Sequence, residues 1–430
     1  MPTGKRCGLP AERSMMWSED WTSLGPDGTG YAVDMLRSAG SPHRLPVGMY
    51  LIANDATTLP LRTYSALMHG AKCLNFYCYG PYYAFADGSL SENIPSQKAL
   101  AAVTREIAKA DHLLAPGVAP SAQVAVSYFK SHEIWQTDTA IQVERRNTYL
   151  ALTHANYPVD FVDEPMVEQG WLRRYQVLYV VDSNVSRAAA EKIRDWVAEG
   201  GTLVACAGAG LKDEYDEPLP TLREVFGVRD VSVAKPKMGY RERYDLPGAK
   251  PVDTASFLAT APFAVAEVAV IGYRETIAPS TATVAAMFRN HEPAALVHSF
   301  GKGGCLRFGF LPAVAYAKDA KPSTTKVTVG YAGAERDIIT AGARWAKVAR
   351  PVVCSTACVE TNLLSSSQGK VVLLANWTMQ PIPALTVTVR PNGPVQSVQS
   401  IKQGRVPFQS AHGTIEMTLP LGSTDMLLLQ

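Results

Sequence analysis

Two carboxylates flanked by two indoles are the strongest chemical signal near the start of the chain. The segment 17–21 reads Trp-Ser-Glu-Asp-Trp and follows the predicted strand Ser14–Trp17. Enzymes built on parallel strands place their reacting groups where strands end, and indole faces are surfaces on which sugar rings stack. We therefore predict Glu19 and Asp20 as catalytic candidates and Trp17 and Trp21 as substrate-binding residues. The alternative is that both acids only cap the loop after the strand.

Further candidates follow the next two predicted strands. Asp55 comes directly after an apolar run, and Glu92 lies beyond the third strand. Glu92 would either line the rim of a site or be the first acid of the next helix, where the helix dipole favours a negative charge. Tyr77, Tyr79 and Tyr82 surround the end of the third strand, where they would form a sugar-binding platform or pack against a neighbouring domain.

Other groups are weaker candidates. Cys206 follows an apolar strand, and His291-Glu292 lies downstream. This set is similar to the triad of class I glutamine amidotransferases, but a nucleophile elbow needs glycine two residues before the cysteine, and Val204 stands there. A buried core thiol is the interpretation we favour. No spacing of His, Cys or acidic residues predicts a metal site, and Cys354 and Cys358 are only a weak signal for one. No glycine pattern predicts a site for a phosphate-bearing cofactor.

Composition limits the classes of partner. The chain has 430 residues, 47% of them apolar, and a formal net charge of only +2, so we expect neither nucleic acid nor an anionic membrane as partner. Seven scattered cysteines argue against a disulfide framework. The start of the chain lacks the apolar stretch of a signal peptide, so we expect a cytoplasmic protein, or an exported one if an upstream segment is missing.

Alternating short strands and helices predict parallel βα units up to about residue 118. The predicted strands there are Ser14–Trp17, Val47–Ala53 and Cys73–Tyr79, and the predicted helices are Gly30–Ala39, Leu61–His69 and Ser96–Leu114.

A second set of βα units is predicted for residues 119–348, with a doubly wound α/β fold. Its elements are Gln123–Phe129, the helix Arg145–Asn156, Val159–Val162, Val177–Val181, the helix Arg187–Glu199, Thr202–Ala207 and a hairpin of Ala294–Ser299 with Gly304–Phe310. Residues 349–430 predict a small antiparallel β-domain. Its strands are Lys370–Asn376, Ala384–Val389, Val395–Ile401, Thr414–Leu419 and Thr424–Leu429.

Three stretches, in this order, resemble the family 42 glycoside hydrolases. Residues 62–81 contain His-Gly-Ala followed by an aromatic strand, as in the last helix and strand of those barrels. Residues 175–204, with Gly200-Gly201-Thr202, are similar to the β-galactosidase trimerisation domain. Residues 293–312 resemble the closing hairpin of that domain.

The resemblance implies an α/β fold: a partial (β/α)₈ barrel over residues 1–118, a flavodoxin-like or amidotransferase-like trimerisation domain over 119–348, and a small antiparallel β-sandwich over 349–430. It also implies a homotrimer that acts on a β-galactoside or related glycan without a cofactor. A complete barrel takes about 250 residues, so five strands would be missing from this chain.

The implied mechanism is retaining and uses two carboxylic acids. In the family the nucleophile lies on the strand before the His-Gly-Ala helix, but here that strand ends in Asn54-Asp55 without a glutamate. The role then falls to Glu19, or to Asp55 as the alternative, or catalysis is lost. The chain is accordingly predicted to be a glycoside hydrolase by descent, the alternative being a non-catalytic carbohydrate-binding or oligomerisation module.

Overall fold

The computed structural model describes residues 15–20, 25–77, 92–136, 139–235, 250–259, 262–320 and 326–430. The chain divides into two compact units. The first consists of Met1–Pro120, Ser323–Val327 and Pro351–Gln430, and the second of Ser121–Pro322 and Thr328–Arg350.

The first unit begins with a parallel sheet of three strands in the order β1-β2-β3. Its elements are β1 (Met16–Glu19), α1 (Thr29–Gly40), β2 (Val47–Ile52), α2 (Leu59–Met68), β3 (Ala71–Tyr77) and α3 (Ile94–Leu114). All three predicted strands and all three predicted helices are therefore present, with ends shifted by a few residues. The predicted ends Ser14 and Tyr79 lie outside the described residues.

Helices cover one face of this sheet, and we call the other face, which carries the exposed Trp17 and Glu19 of β1, the open face. Met49 and Leu51 of β2 are buried in a core with Leu36 of α1 and Leu59 and Ala66 of α2. Successive side chains of a strand point to opposite faces, so the residues that alternate with these lie on the other face. In β1 the alternation is visible directly, since Trp17 and Glu19 are exposed and their neighbours are partly buried.

The second unit is built on a mixed sheet of nine strands in the order β10-β9-β12-β13-β14-β7-β6-β4-β5. Its strands are β4 (Val124–Ser127), β5 (Val159–Val162), β6 (Val177–Val180), β7 (Thr202–Ala205), β8 (Val228–Ala234), β9 (Asp253–Phe257), β10 (Glu267–Val270), β11 (Arg274–Pro279), β12 (Thr283–Phe288), β13 (Pro293–Phe300) and β14 (Gly303–Phe308). Its helices are α4 (Lys130–Trp135), α5 (Thr139–His154), α6 (Glu164–Glu168), α7 (Arg187–Glu199), α8 (Arg223–Phe226), α9 (Pro312–Tyr316) and α10 (Gly333–Trp345). Strands β8 and β11 form a separate ribbon.

The winding of the sheet reverses at β4. This strand pairs in parallel with β5 on one side and with β6 on the other, and the sheet continues from β6 to β7 and β14. The reversal makes the carboxyl ends of β4 and β6 the switch point at which doubly wound sheets usually bind ligands.

Glycines make the tight exit from α7 into β7. Gly200 has φ 131°, which favours glycine, and a side chain at Gly201 would lie 2.3 Å from the Trp196 ring.

The second unit contains more strands and helices than the sequence predicted. Strands β8 to β12 fall in a stretch that had no assigned elements, and α10 was not predicted. Helix α5 begins at Thr139 rather than Arg145, because its buried face carries polar residues such as Glu144 and Asn147, which hide the apolar period on which the prediction depended.

The chain then returns to the first unit with two antiparallel sheets. The strands are β15 (Val352–Cys354), β16 (Val359–Ser366), β17 (Gly369–Asn376), β18 (Ile382–Val389), β19 (Val398–Ser400), β20 (Gly404–Arg405), β21 (Gln409–Ala411), β22 (Thr414–Leu421) and β23 (Thr424–Leu429). The sheet orders are β15-β18-β22-β21 and β16-β17-β23-β19-β20. Val372 and Leu427 of one sheet share a core with Val387 and Met417 of the other. On the far side of β17, Leu373 packs with Tyr64 of α2.

Candidate functional site

Aromatic rings from all three parallel strands line the open face of the first sheet. Trp17 of β1 and Tyr50 of β2 have ring centroids 5.4 Å apart, and Tyr50 and Tyr77 of β3 have centroids 6.2 Å apart. Trp17 is 53% exposed, although an indole is usually buried in a monomeric protein. The three rings form a continuous apolar row that reaches the carboxyl edge of the sheet.

Glu19 lies on the same face as this row. It is the last residue of β1, it is exposed, and it stands in register with Tyr50, which is in turn in register with Asn75. No hydrogen bond or ion pair joins the Glu19 carboxylate to another residue that the structure describes. The exposed carboxylate stands at the carboxyl edge of the strand.

Asp20 points to the opposite side and is 2% exposed. Its Oδ1 accepts a hydrogen bond from the Ile52 backbone N–H at 2.7 Å, and its Oδ2 forms an ion pair with the Arg62 guanidinium. Arg62 also donates to the Ile52 carbonyl oxygen at 2.7 Å. Burial raises the pKa of the Asp20 carboxyl, and the adjacent guanidinium opposes that rise. Asp20 therefore ties β1, β2 and α2 together.

Asp55 is held by the turn that precedes helix α2. Its Oδ1 accepts from the Thr57 N–H at 3.0 Å, and its Oδ2 accepts from the Thr58 hydroxyl at 2.7 Å. Aspartate side chains commonly bond to the backbone of a turn in this way. Glu92 is exposed next to Asn93, whose Oδ1 caps α3 by accepting from the Ser96 N–H at 3.1 Å. The predicted binding residues Trp21, Tyr79 and Tyr82 lie outside the described residues.

A buried charge network lies among α1, α2 and β16 of the first unit. His69 Nδ1 is 2.7 Å from Asp34 Oδ2, and its Nε2 is 2.9 Å from Glu360 Oε1. Burial alone would lower the pKa of His69, but the two carboxylates raise it to about 10, so the ring is cationic at neutral pH. Arg37 pairs with Asp34 at 2.7 Å, and the Trp377 indole N–H donates to Glu360 at 2.8 Å.

The switch point of the second unit is filled by its own side chains. Arg145 pairs with Glu133 at 2.9 Å and also with Asp182, whose second oxygen accepts the Phe129 N–H. His132 Nδ1 accepts the Ser183 N–H at 3.1 Å. His132, Glu133 and Asp182 are close enough to suggest a metal site. The Arg145 guanidinium already pairs with both acids, however, so this geometry does not favour a cation.

Cys206 is buried beside a small cavity that Glu144 also lines. Burial raises the pKa of its thiol well above the usual value, so it is a poor nucleophile. The thiol lines a cavity of about 10 Å³, enough for one water molecule, together with Glu144. Burial also raises the pKa of Glu144 to about 8, while Glu144 Oε2 accepts the N–H groups of Ala313 and Val314 at 2.9 and 2.8 Å.

Two features of the open face were missed from the sequence. Tyr50 and Asn75 join the row only because three strands pair in this register. The alternation within β2 and β3 could have assigned them to one face, but not to the neighbourhood of Glu19.

Among the residues described, no helix has the length and apolar character needed to cross a bilayer.

Residues 122–319 match the family model of the β-galactosidase trimerisation domain. No curated protein matches the chain in sequence.

Solved structures with a similar fold include three β-galactosidases. The family 42 enzyme Gan42B from G. stearothermophilus has 16% identity and a TM-score of 0.68, covering 95% of this chain and 57% of its own. The enzyme from Bacillus circulans sp. alkalophilus has 17% identity, a TM-score of 0.68 and coverages of 94% and 58%. The cold-adapted enzyme from Rahnella sp. R3 has 17% identity, a TM-score of 0.69 and coverages of 96% and 59%.

The resemblance to family 42 β-galactosidases is thus confirmed at the level of fold. The segment 122–319 matches the model of the β-galactosidase trimerisation domain, and the mixed α/β architecture is similar to that of these enzymes along nearly the whole chain. The chain spans somewhat under three fifths of the length of these relatives, since it covers 57% of the Gan42B chain.

Proposed function

We propose that this chain, which shares its fold with family 42 β-galactosidases, is the carboxyl-terminal part of a retaining glycoside hydrolase that acts on β-galactosides or related glycans. In this proposal the three-stranded sheet is the last part of a (β/α)₈ barrel. The second unit is a flavodoxin-like or amidotransferase-like trimerisation domain, and the terminal strands form a small sandwich. The domain limits at residues 118 and 348 remain predictions, as does the homotrimer.

One observation carries the proposal: Glu19 is an exposed carboxylate at the end of a parallel strand, beside the row of Trp17, Tyr50 and Tyr77. Stacked rings bind the apolar face of a pyranose. A carboxylate at the edge of that row would lie next to the sugar, which is the position a nucleophile requires.

The chemistry would proceed in two steps. The Glu19 carboxylate attacks the anomeric carbon while a second carboxylic acid protonates the departing glycosidic oxygen, which breaks the bond and forms a glycosyl ester on Glu19. The same second group then removes a proton from water, which hydrolyses the ester with net retention.

The second acid would come from outside the described sheet. A retaining pair is about 5 Å apart, and within this sheet both Asp20 and Asp55 are held by internal partners. We therefore propose that strands completing the barrel supply the acid/base group. Asp55 stays the alternative nucleophile, but only if its hydrogen bonds to Thr57 and Thr58 are released when substrate binds.

The test is turnover of an aryl β-galactoside by this chain combined with the strands that complete the barrel, since those strands supply the acid/base group in this proposal. Glu19→Gln should reduce kcat by several orders of magnitude, and Asp55→Asn, the matched change at the other predicted acid, should not. Azide added to Glu19→Gly should restore turnover and yield the glycosyl azide of opposite anomeric configuration, because azide replaces the missing nucleophile. Turnover unchanged in Glu19→Gln would remove Glu19 from the mechanism.

A second function is favoured because Glu19 is the only acidic residue within the three described strands β1, β2 and β3: a non-catalytic carbohydrate-binding or oligomerisation module. It predicts glycan binding without hydrolysis. Trp17→Ala should then abolish binding in calorimetric titration while the fold, followed by circular dichroism, is retained.

A further inference from the structure

Three large apolar side chains are exposed together on the second unit. Ile134 and Trp135 end helix α4, and Tyr215 lies in the loop after β7; they are 64%, 48% and 64% exposed. Because α4 follows the carboxyl end of β4, these residues lie on the face where the sheet has its switch point. We call Ile134, Trp135 and Tyr215 the α4 patch.

The α4 patch is held in place before any partner arrives. The Trp135 indole N–H donates to the Glu214 carbonyl oxygen at 2.8 Å, which ties α4 to the loop. The buried Asp213 carboxylate accepts the Tyr215 N–H at 2.9 Å and the Arg187 guanidinium at 2.8 Å. The same guanidinium lies 5.7 Å from the Tyr215 ring. A surface that is already ordered loses little conformational entropy on binding.

The space beneath the patch is closed to a small ligand. The inner side of α4 contributes Glu133 to the ion pairs of Arg145, which fills the crevice between β4 and β6. The surface above this crevice, where other doubly wound domains bind cofactors, here carries the three exposed apolar side chains. Such a surface fits another protein surface better than a small molecule.

We propose that the α4 patch is one side of the contact between copies of this chain in the trimer. This inference rests on the homotrimer of the proposed function. The occupant is a second copy because the patch lies within residues 122–319, the segment that matches a trimerisation domain. A closed trimer needs a heterologous contact, so the patch would meet a different surface of the next protomer.

The composition of the patch supports this assignment. Trp, Tyr and Arg are the residue types that contribute most to binding at protein interfaces, and here Trp135 and Tyr215 are accompanied by Arg187 at the rim. Lys212 and Glu214 add charges of both signs nearby, which suits a partner of mixed charge rather than a nucleic acid or an anionic membrane.

The experiment is sedimentation velocity and light scattering of the full chain over a concentration series. The unmodified protein should be a trimer, and Ile134→Glu and Tyr215→Glu should each raise its dissociation constant by at least about 30-fold. Ile134 is suited to this test because no hydrogen bond depends on its side chain. The matched control is Val118→Glu, an apolar residue of 67% exposure outside the matched segment, which should leave the trimer intact.

A photoreactive residue gives a readout that does not depend on dissociation. Benzoylphenylalanine at position 134 should form covalent links between copies on irradiation, and at position 118 it should not. A monomeric unmodified protein would refute the proposed trimer itself. A trimer that persists in Ile134→Glu and Tyr215→Glu, or one that Val118→Glu dissociates equally well, would refute the α4 patch alone.

Discussion

Replacing His69 should flatten the dependence of the first unit's stability on pH. The imidazole is buried between the carboxylates of Asp34 and Glu360, at 2.7 and 2.9 Å, and its pKa in the folded protein is about 10. In the unfolded chain a histidine has a pKa of about 6.5. The folded state therefore binds a proton that the unfolded state releases at alkaline pH.

The sign and size of the effect follow from this difference. The stabilisation from a raised histidine pKa is fully present below about pH 6.5 and is lost progressively as the pH rises towards 10. Each pH unit in that window changes the free energy of unfolding by about 1.4 kcal/mol. From pH 7 to pH 9 we expect the charged ring of His69 to contribute about 2.5 kcal/mol less to the free energy of unfolding.

The assay is urea unfolding at pH 7, 8 and 9 at one protein concentration, comparing the unmodified protein with His69→Gln. Tryptophan fluorescence is a suitable signal because the Trp377 indole bonds to Glu360 in this network. Glutamine does not titrate, so the variant should lose the His69 part of the slope whatever its absolute stability. Equal slopes for the two proteins between pH 7 and 9 would refute the reasoning.

Three further changes test other parts of the structure. Asp20→Ala leaves a buried guanidinium without its partner and should cost about 3 to 5 kcal/mol in urea unfolding, whereas the exposed Glu19→Ala should cost under about 0.5 kcal/mol; equal losses would contradict the burial difference. Burial raises the pKa of Glu144 to about 8, so the folded protein holds a proton there that the unfolded chain releases. The stability that comes from this proton is present at low pH and is lost as the pH rises through 8. Glu144→Gln should therefore gain in melting temperature over the unmodified protein between pH 6 and 9, and parallel curves would refute this. A side chain at Gly303 would lie 2.2 Å from a backbone carbonyl oxygen, so Gly303→Ala should cost about 1 to 3 kcal/mol, while Gly422→Ala, with open space around it, should cost little in the same denaturation series.

The comparison of Glu19 with Asp20 explains why the site could be predicted only in part. Two adjacent acids at the end of a strand are equivalent candidates in the sequence. In the structure they point to opposite sides, and the arginine that pairs with Asp20 comes from α2, a helix beyond the next strand. Asp55 differs from Asp20 in this respect, since its partners Thr57 and Thr58 lie only two and three residues further along the chain.

Local signals determined the elements that depend on neighbours along the chain. Apolar runs specified β1, β2 and β3, and the Gly200-Gly201 pair specified the exit from α7, because side-chain alternation and glycine conformations are local properties. Strands β8 to β12 and the start of α5 escaped prediction because their patterns depend on partners supplied by distant segments.

The sequence by itself determined the parallel βα character of the first unit, the doubly wound start of the second and the antiparallel strands at the end, since each follows from hydrophobic periodicity and turn residues. Only the tertiary structure decided that Glu19 is exposed while Asp20 is held by Arg62, and that Arg145 fills the switch point beneath α4. The physical reason is that the environment of a charge depends on which groups surround it in space. For these residues, those groups come from other strands and helices.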